Sequence, residues 1–245
     1  MDTTRFVERL TNAQGRSQFV IVVVADIRGF SVFSKQHEAP DVAMYIKRFY
    51  CNAITSYFKN ASFVKSTGDG LLMTFEYTEK NLFDVSKKVL ESCLKCLEAF
   101  PNICKNEPMI NFAVPRRIGF GITRGTACCL FSGDDVIDYS GHQLNLASRL
   151  MDYARPQGIV IAESFSQEAI PGDLRSSFMR KQVYVRSIAE RSPMEVFYLK
   201  GKTEIPEYAL SPMGENWVKE SYYFNFYANQ GVRGICGGFG CKNQF

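Results

Sequence analysis

Two acidic stretches in this chain of 245 residues carry side chains suited to chemistry. They are Val23-Val24-Ala25-Asp26-Ile27-Arg28-Gly29-Phe30 and Lys65-Ser66-Thr67-Gly68-Asp69-Gly70. Each sets one carboxylate at a chain reversal beside an apolar, strand-like run. A half-buried Asp in such a place is costly unless something cationic meets it. Two of them, each with Gly close behind, suggest a shared pair of divalent cations. Mg²⁺ favours a few carboxylates, some water and substrate phosphates over an all-protein cage. The expectation is metal-dependent phosphoryl transfer.

A second constellation lies in Asp138-Tyr139-Ser140-Gly141-His142-Gln143-Leu144-Asn145-Leu146-Ala147-Ser148-Arg149. Asn145 and Arg149 are four residues apart, so on a helix they share one face, a turn apart. An amide and a guanidinium so placed can hold a ribose and a phosphoryl oxygen together. Arg suits charge that builds on phosphate in a transition state.

The elements that must position these groups can be read from apolar periodicity. Residues 1–17 carry a short leading helix, and Gln18 to Ala25 is a strand, with a loop through Asp26 to Gly29. Asp41 to Asn60 has helical spacing after a Pro40-Asp41 start. Ser62 to Phe75 gives two strands about Thr67-Gly68-Asp69-Gly70, a hairpin signal. Leu82 to Phe100 is a helix, followed by a polar loop from Pro101 to Pro115. Arg117 to Arg124 and Thr126 to Phe131 are strands parted by Gly125. Leu144 to Tyr153 is a helix, Gly158 to Ala162 a strand, and Glu163 to Ala169 a short helix. Tyr184 to Ile188 and Met194 to Leu199 form a closing hairpin. This order predicts an α+β fold, an α/β sandwich with a mostly antiparallel sheet and a ferredoxin-like βαββαβ centre. The expected division is a catalytic domain over 18–205 and a C-terminal extension over 206–245, aromatic-rich from Trp217 to Tyr227 and Gly-rich from Gly231 to Gly240.

Bulk properties narrow the function. A formal charge of +4 fits a local anion site better than a nucleic-acid-coating surface, so no nucleic-acid partner is expected. The longest apolar run, Phe19 to Ala25, is too short to span a bilayer, and the N-terminus lacks the apolar segment of a secretion signal. No membrane association and a cytoplasmic location are expected. Eight cysteines within periodic apolar segments agree with a reducing compartment. Cys93-x-x-Cys96 on a helix, with no second such pair, makes a weak zinc or redox case, as do Cys236 and Cys241 beside the Gly-rich tail. Only His37 and His142 are present, which argues against a His-based metal site or triad.

Taken together, the chain resembles the class III nucleotidyl cyclase family, the catalytic domains of adenylate and guanylate cyclases, over about residues 18–200. The motifs that carry the resemblance are Asp-Ile-x-Gly-Phe at Asp26, Lys-x-x-Gly-Asp at Lys65, Arg117-Ile118-Gly119, and Gly-x-x-x-Asn-x-Ala-x-Arg from Gly141. The resemblance implies that Asp26 and Asp69 bind two Mg²⁺ or Mn²⁺ ions, assisted by the carbonyl of Ile27. It implies that Asn145 orients the ribose and that Arg149 stabilises the α-phosphate. Arg186 falls near the family's basic residue for the terminal phosphates. The metal residues and the Asn/Arg pair come from different subunits in such cyclases, so the resemblance implies a head-to-tail homodimer with its sites at the interface.

Lys65 and Asp138 stand where adenylate cyclases read adenine. Tyr50 stands where the family usually has a Phe near the base pocket, and its hydroxyl would suit a one-ring base. The runs Asp-Ile-Arg-Gly-Phe-Ser, Asp-Tyr-Ser-Gly and Leu-Asn-Leu-Ala-Ser-Arg-Leu-Met-Asp resemble the stand-alone bacterial pyrimidine cyclases of Pycsar anti-phage defence. Those make cyclic UMP or cyclic CMP, which acts through a separate effector. The expected substrate is a pyrimidine nucleoside triphosphate, with ATP as the alternative. A catalytically silent nucleotide-binding module is the second alternative. A diguanylate-type enzyme would need a paired acid on the hairpin, which Thr67-Gly68-Asp69-Gly70 lacks.

Overall fold

The computed structural model describes residues 3–165 and 169–212. The chain divides into two compact units, residues 1–212 and 213–245. The second unit lies outside the described residues, and with it the aromatic and Gly-rich stretches of the extension and the Cys236 and Cys241 pair.

In chain order the elements are helix α1 (Thr3–Thr11), strand β1 (Gln14–Arg28), helices α2 (Phe30–Gln36) and α3 (Ala39–Asn52), strands β2 (Phe63–Ser66) and β3 (Gly70–Glu76), and helix α4 (Leu82–Ala99). Strands β4 (Arg117–Ser132) and β5 (Asp135–Ser140), helix α5 (His142–Tyr153), and strands β6 (Arg155–Pro156) and β7 (Gly158–Ala162) follow. Helix α6 (Gly172–Arg175) and strands β8 (Phe178–Val185), β9 (Ala189–Leu199) and β10 (Thr203–Glu204) complete the unit.

Eight strands form one sheet in the order β2-β3-β1-β4-β7-β9-β8, with β5 paired to β4. Every pairing in it is antiparallel except β4 with β7. This is the expected α+β sandwich with its mostly antiparallel sheet. No described helix is long and apolar enough to cross a membrane.

Strand β1 is covered on both faces. Side chains alternate across a strand, so Ile21, Val23, Ala25 and Ile27 enter the larger core with Tyr45 and Phe49 of α3 and Leu90 and Cys93 of α4. Val20, Val22 and Val24 enter a smaller core with Leu144 and Ala147 of α5. The spacing of α3 explains its part: Val42, Tyr45, Ile46 and Phe49 recur at helical intervals on one face, after a proline in the first turn. Cys93 and Cys96 are buried in α4, and burial pushes both thiols up, Cys96 to about 12. They are packing residues of the core.

Several boundaries differ from the sequence expectation. Strand β1 does not stop at Ala25 but runs through Asp26 to Arg28, because Asp26 pairs with Gly70 of β3 on one side and Gly119 of β4 on the other. The expected break at Gly125 is absent: β4 is continuous, with Gly125 paired to Val20. Helix α2 and strand β5 were not anticipated. The Pro101–Pro115 segment buries Ile103 and Cys104 and so is not simply polar. Of the expected short helix, Glu163–Phe165 form a 3-10 turn and Ala169 is a turn residue, while 166–168 lie outside the described residues. The first residues after 205 turn through Glu207–Ala209 and set Tyr208 edge-on to Tyr153, with ring centroids 5.9 Å apart.

Candidate active site

The two aspartates meet at one end of the sheet. Asp69 sits in the two-residue turn between β2 and β3, whose flanks are joined by Thr67 N–H donating to Gly70 C=O at 3.0 Å. Gly68 has φ 92°, as the first central position of a type II′ hairpin requires. Gly70 makes the close approach possible, since a Cβ there would lie 2.2 Å from the Ala25 carbonyl oxygen. The backbone of Ile27 then donates to the Asp69 carbonyl at 3.1 Å, so the turn is stitched directly to the strand carrying Asp26.

Asp26 continues the face of Val20, Val22 and Val24, and Arg28 follows on that face. Arg28 Nη1 donates to Asp26 Oδ2 at 2.8 Å. Burial pushes the Asp26 carboxyl up to about 6; Arg28 opposes this and the neighbouring Asp69 adds to it. A partly buried carboxylate with a second acid in its neighbourhood is a place that favours a cation. The donors are hard oxygens, two carboxylates and the backbone of Ile27, and they fit Mg²⁺ or Mn²⁺. Among the described residues, no cluster of three or more His, Cys, Asp or Glu side chains forms a metal cage.

Tyr50, near the end of α3, donates its hydroxyl to the Gly68 carbonyl in the same turn. Burial and the nearby Asp69 raise its phenol above the usual range. The structure thus brings Asp26, Ile27, Asp69 and Tyr50 into one group.

Lys65 and Asp138 form a second group. Lys65 Nζ lies 2.6 Å from Asp138 Oδ2, and the other carboxylate oxygen of Asp138 accepts from the Tyr139 N–H at 2.9 Å. Strands β2 and β5 thereby present a donor and an acceptor side by side, although 73 residues separate the pair in sequence.

Asn145 and Arg149 form the third, both exposed and one turn apart on α5. Asp152, which could have paired with Arg149, instead pairs with Arg155 at 3.9 Å. Among the described residues no hydrogen bond or ion pair links this face to Asp26 or Asp69. Arg186 is exposed at the β8–β9 turn. The backbone of the preceding Tyr184 accepts from the Tyr153 hydroxyl of α5 at 2.8 Å, which ties the hairpin to the helix bearing Asn145 and Arg149.

Sequence reasoning gave no role to Arg28 or to Gly121 of β4, and took Gly125 only as a break between strands. A Cβ on Gly121 would lie 2.0 Å from the Ala147 carbonyl oxygen and 2.3 Å from the Met151 nitrogen. The signal was there: Gly119, Gly121 and Gly125 fall at period two, the mark of one strand face cleared for a close neighbour.

The sheet thus carries acids where β1 meets the β2–β3 turn and an Asn/Arg pair on α5. A family model for the adenylate and guanylate cyclase catalytic domain matches residues 13–201. The chain belongs to that family. Among solved structures it is similar to the adenylyl cyclase CyaB from P. aeruginosa, with 18% identity and a TM-score of 0.62 over 81% of this chain and 100% of that one. The guanylyl cyclase Cya2 shares 18% identity with a TM-score of 0.57, over 82% of this chain and 100% of that one. The guanylate cyclase domain of RhGC from Catenaria anguillulae, solved in complex with GTP, shares 17% identity with a TM-score of 0.56, over 76% and 99%. At these identities the likeness is one of fold. No curated protein sequence matches the chain significantly.

Proposed function

We propose that this chain is a pyrimidine nucleotidyl cyclase, converting UTP or CTP to the 3′,5′-cyclic nucleotide and pyrophosphate as a head-to-tail homodimer in the cytoplasm. The observation that carries cyclase chemistry is the stitched turn that sets Asp69 beside Asp26. Class III cyclases generally depend on divalent metal ions. Asp26 and Asp69, with the Ile27 carbonyl, are the residues that would hold two of them. When bound, such cations lower the pKa of the attacking hydroxyl and screen the triphosphate charge.

The chain's own residues supply the rest. Asn145 holds the ribose so that its 3′-oxygen faces the α-phosphorus. Arg149 donates to the α-phosphate oxygens as charge develops, and Arg186 meets the terminal phosphates. The 3′-oxygen gives its proton to water and bonds to the α-phosphorus as the bond from that phosphorus to the pyrophosphate oxygen breaks. Asn145 and Arg149 are exposed on α5, and no described hydrogen bond or ion pair joins them to the acids of their own chain, which supports a site completed by a second copy.

Lys65 and Asp138 match the Watson–Crick edges of uracil, cytosine and adenine alike, since each pairs a donor with an acceptor. Selection then falls to pocket size, where Tyr50 in place of the usual Phe supports a single ring. The flanks of the motifs support a role in anti-phage defence, with the cyclic product acting as a second messenger on a separate effector. A second reading, ATP to cyclic AMP, is favoured by the 2.6 Å Lys65–Asp138 pairing at the positions where adenylate cyclases read adenine.

The deciding experiment incubates the protein with each ribonucleoside triphosphate and Mn²⁺, followed by product identification. Cyclic UMP or cyclic CMP is expected. Cyclic AMP as the main product would replace the pyrimidine reading. Nucleotide binding with no pyrophosphate released would assign a silent module.

A further inference from the structure

The guanidinium of Arg28 is a buried, multiply hydrogen-bonded cation that the proposed chemistry does not use. Its side chain is 6% exposed. Nη1 donates to Asp26 Oδ2 at 2.8 Å, while Nη2 donates to the Met151 carbonyl and, at 3.2 Å, to the Ala154 carbonyl. Those carbonyls lie at the C-terminal end of α5, where the helix dipole favours a cation; the Met151 carbonyl also accepts from the Ala154 N–H at 3.0 Å. Strand β4 is cut away to admit the group: a Cβ on Gly119 would lie 2.0 Å from Arg28 Nη2 and 2.7 Å from both Cζ and Nε.

We propose that Arg28 is a positioning residue for the metal-ligating carboxylate of Asp26, holding it by one oxygen and fixing it to the C-terminal end of α5. This rests on the reading of Asp26 and Asp69 as metal ligands. Pairing through Oδ2 sets the carboxylate plane and leaves Oδ1 for a cation. The bonds span two elements, and Arg's rigid fork suits that task where the single point charge of Lys does not. A pair kept only for stability is a poor explanation. Buried ion pairs are seldom more stabilising than well-packed apolar residues, and here the buried Nε finds no partner at all. The network includes further charges: Asp152 and Arg155 also act on the Asp26 carboxyl, Asp152 raising and Arg155 lowering its pKa, while Arg28 supplies the 2.8 Å hydrogen bond.

Two variants test the assignment by different routes. Arg28→Lys keeps the charge and loses the fork. Gly119→Ala keeps Arg28 and every charge, and pushes the guanidinium out of its slot. Mn²⁺ alone is titrated into each protein and followed by electron paramagnetic resonance, with circular dichroism melts to confirm folding and Asp26→Ala as the reference. Loss of a partner that orients a metal ligand typically weakens metal binding by about 10–100-fold. Both variants are expected to bind Mn²⁺ at least about tenfold more weakly than the unaltered chain, on the scale of that effect. Unchanged Mn²⁺ affinity in either folded variant overturns the proposal. A crystal of the unaltered protein with Mn²⁺ needs no variant to fold. Arg28 still on Oδ2 with the metal on Oδ1 supports the proposal, and Arg28 turned away from Asp26 overturns it. Mn²⁺ binding that survives Asp26→Ala, or none by the unaltered chain, would instead bring down the metal-centre reading and this one with it.

Discussion

Asp26 is a carboxylic acid held in a place that disfavours its charge. Burial and Asp69 raise its pKa from 3.8 to about 6, against the pull of Arg28. The metal-free folded chain therefore keeps a proton over a window, about pH 4 to 6, in which the unfolded chain has lost it. Stability from this group is then greatest at low pH and falls as pH rises through that window. Asp26→Asn should flatten that part of the melting-temperature profile. Metal binding has the opposite sign, since a cation needs the carboxylate form. Mn²⁺ affinity should drop as pH is lowered below about 6, by up to about tenfold per pH unit for a single coupled proton. A titration series that found Mn²⁺ affinity flat between about pH 5 and pH 7 would detach Asp26 from the metal. Lys65 and Asp138 differ in kind. Their side chains are 52% and 34% exposed, and such pairs contribute about 0–1 kcal/mol to folding. Lys65→Ala and Asp138→Ala should leave the melting temperature almost unmoved while changing the ratio of kcat/KM among the four triphosphates. Arg149→Ala should lower kcat by about 10²-fold, the usual loss of a transition-state donor; a change confined to KM would make it a ground-state contact.

At the level of elements, the site depends on how closely α5 lies on β4. Gly121 faces the Ala147 carbonyl and the Met151 nitrogen, so a methyl group there meets backbone on the far side and has nowhere to turn. Thr123, two residues on, donates its hydroxyl to the Gln143 carbonyl at 2.9 Å and fixes the start of the same helix. Gly121→Ala should lift α5, lowering stability by about 1–3 kcal/mol as overpacking does. It should also lower kcat through misplaced Asn145 and Arg149, which denaturant unfolding and steady-state kinetics would measure separately. The same packing explains which parts of the fold were legible in the sequence. Apolar runs on α3, α4 and β3 announced themselves because their burial is one-sided or complete. Asp26 and Arg28 were read as a loop because polar residues after an apolar run usually leave the sheet. Here they stay in it, since each neutralises the other beneath α5. Gly125 was read as a break because a lone Gly in a strand often marks one. It instead clears space for Gln143, whose amide nitrogen a Cβ would approach to 2.6 Å. Lys65 and Asp138 were brought together only by the family resemblance, because the residues meet through the pairing of strands distant in sequence.

The whole molecule adds a constraint that none of its parts contains. Within one chain the acids lie where β1 meets the β2–β3 turn, while Asn145 and Arg149 are exposed on α5. In the proposed head-to-tail dimer each site takes Asp26 and Asp69 from one copy and Asn145 and Arg149 from the other. Arg28 would then join the metal half of one site to the helix serving the second. Two inactive variants test this arrangement directly. Asp26→Ala and Arg149→Ala each break both sites of their own homodimer. A heterodimer of the two places both lesions in one site and leaves its other site whole. Random exchange at equal concentration makes about half the dimers mixed, so about a quarter of wild-type activity should return on mixing, with a steep dependence on protein concentration. Activity that stays at the level of the separate variants, under conditions where subunit exchange is shown by mass, would place all four residues in a site made by one chain.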